Sequence, residues 1–243
     1  MKKLILSAFA ITTVMLLQAQ TSNKPASNVL TKEEQKIIAY IDANMPRAIE
    51  MLKESVNINS GTLNIEGVKK VGALFAKEFE KAGFATEWVA MPDSIKRAGH
   101  LVASRRASAA ATSSKKKSGK RLFLIGHLDT VFEPDMPANP FTMLNDSTAT
   151  GQGVNDMKGG DVVMIIALQA LQAQGLLKDA AITAYFTGDE EHAGYPREVS
   201  RGDFIERAKK AEVAFLAANA KKPGVVTLAS GLQYVVVKAG ADT

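Results

Sequence analysis

Two apolar runs, residues 122–125 and 181–186, each close on a cluster of reactive polar residues, and a helical pattern lies between them. Short apolar runs of this kind suit strands covered on both faces. The intervening segment, 157–176, places Val162, Ile165, Ile166, Leu168, Leu171 and Leu176 at helical spacing and has Gly175 near its end. A strand, a helix and a second strand in succession constrain the chain to an α/β sheet.

The flanking segments extend the pattern. Thr31 and Glu34 form a capping box ahead of Ile37, Ile38, Ile41, Met45, Ile49 and Leu52, which recur on one helical face. A second helix is predicted over 66–81, with Val68, Val71, Leu74, Phe75 and Phe79 on its apolar side and Gly83 as its stop. Strands are predicted over 86–90, 100–103, 213–216, 225–228 and 232–238, and a short helix over 204–210. The whole reads as α/β, with a mixed, mostly parallel sheet and helices on both faces. No internal repeat and no second domain are visible in the 243 residues.

The N-terminus reads as a secretory signal over 1–20: Lys2 and Lys3, an apolar stretch of 14 residues from Leu4 to Leu17, then Gln18-Ala19-Gln20. That stretch is short for a bilayer span, so no stable membrane anchor is expected after its removal, and the product is expected to be periplasmic or secreted. There is no cysteine, which excludes disulfides and thiolate ligands. The net charge of +5 is local in origin. Arg105, Arg106, Lys115, Lys116, Lys117, Lys120 and Arg121 fall in an Ala/Ser-rich segment, 104–121, with no acid among them; without these and Lys2 and Lys3 the chain is net negative. No aromatic residue is interleaved there, so the segment reads as a solvated flexible loop and nucleic acid is not an expected partner.

The reactive residues form three clusters: Gly126-His127-Leu128-Asp129-Thr130, the stretch from Gly151 to Gly160 that contains Asp156, and Thr187-Gly188-Asp189-Glu190-Glu191. Positions i and i+2 of a strand share a face, so His127 and Asp129 point the same way at the carboxyl end of their strand, where open α/β sheets place ligands. His127 is the natural metal ligand, with Asp129 holding its other nitrogen. A core histidine beside a loop aspartate would look the same. Asp156 follows two glycines and precedes a helix, as a ligand or as an ordinary N-cap. Glu190 and Glu191 repel one another unless a cation or a shared proton relieves them. Adjacent side chains diverge, so one carboxylate can bind a metal while the other takes a proton from water. All three clusters sit at element junctions of one predicted sheet and should converge.

The series His127-x-Asp129, Gly153-x-x-Asp156-Met157-Lys158-Gly159-Gly160 and Asp189-Glu190-Glu191 resembles the dinuclear zinc exopeptidases related to glutamate carboxypeptidase, carboxypeptidase G, acetylornithine deacetylase and aminoacylase. Gly194-x-Pro196 and Arg97-Ala98-Gly99-His100-Leu101 are similar to the carboxypeptidase branch. The resemblance covers about 31–238. It implies two zinc ions per site, with His127 on one, Glu191 on the other and Asp156 bridging. Glu190 would be the general base, and Asp129 would stand behind His127. The Asp156–Met157 peptide would be cis. The substrate would be a peptide or N-acyl amino acid with a free carboxylate, cleaved at its amide bond.

Two departures follow from the same resemblance. The family's further acid, at the end of a strand resembling 209–220, corresponds without gaps to Ala218. The smaller dimerisation domain and a last metal-binding histidine would lie beyond Thr243, so 21–243 reads as a partial catalytic domain and the family homodimer is not expected. Neither His100, in a strand, nor His192, in a loop, replaces that histidine. Each zinc is left with two protein ligands, which implies single or weak metal binding. Three readings stay open: an impaired carboxypeptidase-type zinc exopeptidase, an N-acyl amino acid deacylase, and an inactive binding domain that keeps the fold.

Overall fold

The computed structural model describes residues 29–107 and 121–235. The predicted signal segment, the middle of the basic loop and the end of the last predicted strand lie outside the described residues.

Helix α1 spans Lys32–Asn57 and opens with the predicted capping box: the Glu34 amide donates to Thr31 Oγ1 at 3.2 Å, and the Thr31 amide donates to Glu34 Oε2 at 2.7 Å. Helix α2, Ile65–Lys81, is capped by the Asn64 side chain, which accepts from the Gly67 amide. It ends ahead of Gly83, whose φ of 76° suits glycine. Strands β1 (Ala85–Val89) and β2 (His100–Arg105) follow, then β3 (Arg121–His127). A separate two-stranded unit, β4 (Thr142–Asn145) and β5 (Thr148–Thr150), comes before the turn Val154–Lys158. Helix α3 (Gly159–Ala173), β6 (Ala181–Thr187), the short α4 (Arg197–Ser200), α5 (Gly202–Asn219) and a hairpin of β7 (Val225–Thr227) with β8 (Gln233–Val235) complete the described chain.

The main sheet has the order β1-β2-β6-β3. Its β3/β6 pair is parallel, joined through α3, and runs from Arg121↔Ala181 to His127↔Thr187. The other two pairings are antiparallel. The sheet is therefore mixed, but not mostly parallel as expected. The short β1–β2 connection has no room for a crossover helix, and hydropathy carries no sign of strand direction.

Helices cover both faces. Along β6, Ile182, Ala184 and Phe186 alternate with Thr183, Tyr185 and Thr187. Phe186 packs edge-on against Phe75 and Phe79 of α2, at 6.1 and 5.3 Å between centroids. Tyr185 meets Phe204 of α5 at 5.2 Å. The core joins α2, α3 and the sheet through Val68, Val71, Phe75, Phe79, Ile165 and Phe186, all completely buried.

Two expectations fail together. Residues 213–216 are not a strand: they continue α5, which runs well past the predicted 204–210. Ala208, Ala211, Ala214, Ala217 and Ala218 favour helix, and the i,i+4 pairs Arg207–Asp203 and Lys210–Glu206 support its first turns. With that segment helical, β3 is an edge strand among the described residues rather than a buried central one, and Leu122 and Ile125 are 43% and 54% exposed. No helix among the described residues is long and apolar enough to cross a membrane.

Candidate functional site

The parallel β3/β6 register sets the carboxyl ends of both strands side by side, with His127 opposite Thr187. His127 ends β3, and Glu190 and Glu191 lie three and four residues past Thr187. Asp156 arrives from another direction. Its turn follows the separate β4/β5 unit rather than a strand of the main sheet, and it lies against His127 because Gly153 allows a tight approach. Gly153 has a φ of 70°, and a Cβ there would come within 2.4 Å of Thr130 Cγ2. The Asp156–Met157 peptide is cis, as the resemblance implied, and helix α3 starts only at Gly159.

His127, Asp156 and Glu191 converge: one nitrogen and two carboxylate oxygens lie within 4.8 Å of one another. His127 Nε2 is 3.0 Å from Asp156 Oδ1, and His127 Nδ1 is 3.0 Å from the carbonyl oxygen of Asp129. Burial opposes charge on the imidazole, but the adjacent Asp129 and then Asp156 push its pKa up to about 9. Burial raises the pKa of Glu191, with the Asp156 charge adding to it. An imidazole nitrogen and two carboxylates are a donor set suited to a divalent cation.

Asp129 stands behind His127 as expected, but chiefly through its backbone. Its carboxylate is 3.6 Å from His127 Nδ1, and its own carbonyl makes the closer contact. Strand geometry ends at His127, so the i, i+2 rule no longer governs the next side chain. The carboxylate instead accepts from Thr62 Oγ1 at 2.7 Å and from the amides of Glu190 and Glu191, each at 3.0 Å. Burial alone would raise its pKa; His127 and these donors hold it below the usual carboxylate value.

Three further charged residues, to which the sequence assigned no role, support the site. Lys158 is completely buried and donates to the carbonyls of Ser55 and Ile58 at 2.8 and 3.0 Å, tying the end of α1 to the Asp156 turn. Burial lowers its pKa to about 7. Asp161 is also completely buried, and neither carboxylate oxygen has a hydrogen-bond partner. Asp189 accepts from the Gly194 amide at 2.8 Å and pairs with Arg201. Lys158 and Asp189 belong to the motifs that carry the resemblance, whereas Asp161 had only its position beside the glycines as a hint.

His100 and His192 stay outside the cluster. His100 Nε2 donates to the Ser200 carbonyl, its Nδ1 accepts from the Gly188 amide, and burial lowers its pKa to about 4, so it is a neutral structural residue. His192 is exposed. Ala218 lies in the last turn of α5, so the strand on which its correspondence to the family acid rested is helix.

A cavity of about 590 Å³ opens beside His127 and Glu190, walled by Ile125, Met157, Phe204 and Ile205. A slightly larger one, about 630 Å³, lies at the other end of the same strands between α5 and β3; none of the clustered residues lines it.

Residues 123–231 match the model of peptidase family M20/M25/M40. Carboxypeptidase G2 of Pseudomonas sp. (strain RS-16) is 31% identical over 195 residues, which are 79% of this chain and 44% of that protein. The chain belongs to the M20 peptidase family. Two solved relatives share the fold. Human carnosine dipeptidase 1 superposes with a TM-score of 0.57 at 21% identity, over 72% of this chain and 38% of that one. The dipeptidase Dug1p of Saccharomyces cerevisiae gives 0.56 at 16%, over 71% and 37%. The M20 chain described here thus spans less than half the length of these relatives.

Proposed function

We propose that this chain carries the catalytic half-site of a zinc-dependent exopeptidase of carboxypeptidase type, acting on the amide bond of peptides or N-acyl amino acids. The convergence of His127, Asp156 and Glu191 within 4.8 Å, with Glu190 next to them, supports this reading. These three residues would hold the metal, which when bound supplies a Lewis acid that acidifies water and polarises an amide carbonyl. Glu190 is exposed at the cavity mouth and binds no metal in this scheme, so its carboxylate is free to take a proton and pass it to the leaving nitrogen. Asp129 keeps His127 Nε2 directed at the cluster, because its carbonyl occupies Nδ1. The cavity beside His127 has an apolar part, Ile125, Met157, Phe204 and Ile205, and a charged part, Arg197, Glu198 and Arg201, so it can accept both an apolar and a charged part of the substrate.

Export to the periplasm or the medium is proposed with the activity, on the strength of the N-terminal segment. The test is hydrolysis of a dipeptide and of an acyl-glutamate by the zinc-loaded chain, alongside Glu190→Gln. We expect the variant to keep its zinc and to lose at least about a hundredfold in turnover. A dipeptide-only or acyl-only profile separates peptidase from deacylase. Zinc binding without turnover in either substrate supports the inactive binding domain instead.

A further inference from the structure

Thr62 lies in the loop between α1 and α2, a stretch without acids or histidines, and is only 1% exposed. The loop is stitched to the end of β3: the Thr62 amide donates to the Thr130 carbonyl at 3.2 Å, and the Thr130 amide donates to the Ser60 carbonyl at 2.8 Å. This fixes the Thr62 hydroxyl against Asp129 Oδ2 at 2.7 Å. Asp129 is itself fully buried, and a buried carboxylate needs donors. It has three: the Thr62 hydroxyl, the Glu190 amide on Oδ1 and the Glu191 amide on Oδ2. The last two are consecutive peptide groups held by the two oxygens of one carboxylate. Their common anchor therefore sets the direction in which the Glu190 and Glu191 side chains leave the backbone.

We infer that Thr62 is a positioning residue for the site, acting through Asp129 to fix the aim of Glu190 and Glu191. The inference rests on the proposed metal-binding role of Glu191. Without the hydroxyl, Oδ2 keeps the Glu191 amide alone, and the carboxylate is free to turn toward His127 Nδ1, 3.6 Å away from Oδ1. Losing a group that hydrogen-bonds a ligand directly lowers metal affinity by roughly 10- to 100-fold; Thr62 acts one residue further out, so the lower end of that range, about tenfold, is expected.

The test is a competition titration with zinc on the full chain, wild type beside Thr62→Val and Thr62→Ser, with thermal unfolding of the metal-free proteins in parallel. We expect Thr62→Val to bind zinc at least about tenfold more weakly, and Thr62→Ser to stay within about threefold of wild type, because the hydroxyl is kept. A packing role alone would lower the unfolding temperature of both variants and leave the zinc affinity of the folded protein unchanged, which overturns the inference. If Thr62→Val does not fold, the serine variant still decides: a tenfold loss with its hydroxyl in place also overturns it. Failure of the wild type to bind zinc refutes the proposed function instead.

Discussion

Replacing Asp161 with asparagine should flatten the fall in stability that the protein shows as the pH rises. The carboxyl is completely buried and neither oxygen has a hydrogen-bond partner, so burial raises its pKa well above the ordinary carboxylate value. An acid with a raised folded pKa leaves stability intact below its unfolded pKa and removes it as the pH climbs toward the folded value. While the carboxyl stays neutral in the fold, the loss is about 1.4 kcal/mol per pH unit. Over the range in which the carboxyl stays neutral in the fold, the wild type should therefore lose stability with rising pH that Asp161→Asn keeps. Asparagine does not titrate, so its own unsatisfied amide shifts stability equally at every pH and drops out of the comparison. Urea unfolding of both proteins at pH 5, 6 and 7 reads the difference directly. If the variant is instead destabilised, and most of all at pH 7, Asp161 is ionised and paired with the buried Lys158, and the reasoning is wrong.

Zinc affinity should rise with pH across 6–8, because zinc must displace the proton on His127, whose pKa is pushed up to about 9. One released proton gives about tenfold in affinity per unit, and a flat titration curve would rule out a charged His127 in the free protein. Phe186→Ala should cost about 3–5 kcal/mol in urea unfolding, since the ring is completely buried between Phe75 and Phe79; a loss under 1 kcal/mol would mean that the core collapses around it. Lys158→Met should cost about 1–3 kcal/mol by leaving the Ile58 carbonyl without its side-chain donor and the Ser55 carbonyl with the Ile58 amide alone, and an unchanged midpoint would show that water replaces it.

Much of this was legible in the sequence where local chemistry decides the outcome. The capping box at Thr31 fixed the start of α1, and the apolar spacing of Val68, Val71, Phe75 and Phe79 gave the buried face of α2. The three reactive clusters were visible, and the structure gathers His127, Asp156 and Glu191. What stayed hidden depends on long-range pairing. Strand direction leaves no mark on hydropathy, so the antiparallel β2/β6 pair was missed. Residues 213–216 are apolar enough for a strand, but the alanines around them and the helix already running from Gly202 favour continuation. Asp129 stands behind His127 as expected, but its other partners come from residue 62 and from residues 190 and 191, separations that strand periodicity cannot anticipate. Buried charges such as Lys158 and Asp161 look like surface residues by type, and only the fold reveals them.

His127, Asp156 and Glu191 are proposed to form one metal centre. Zinc titration calorimetry on the full chain, with metal content measured on the same samples, tests it most directly. The wild type should bind zinc, and His127→Ala, Asp156→Asn and Glu191→Gln should each remove that binding while the proteins remain folded. A wild type that takes up no zinc, or three variants that bind it as the wild type does, would contradict it.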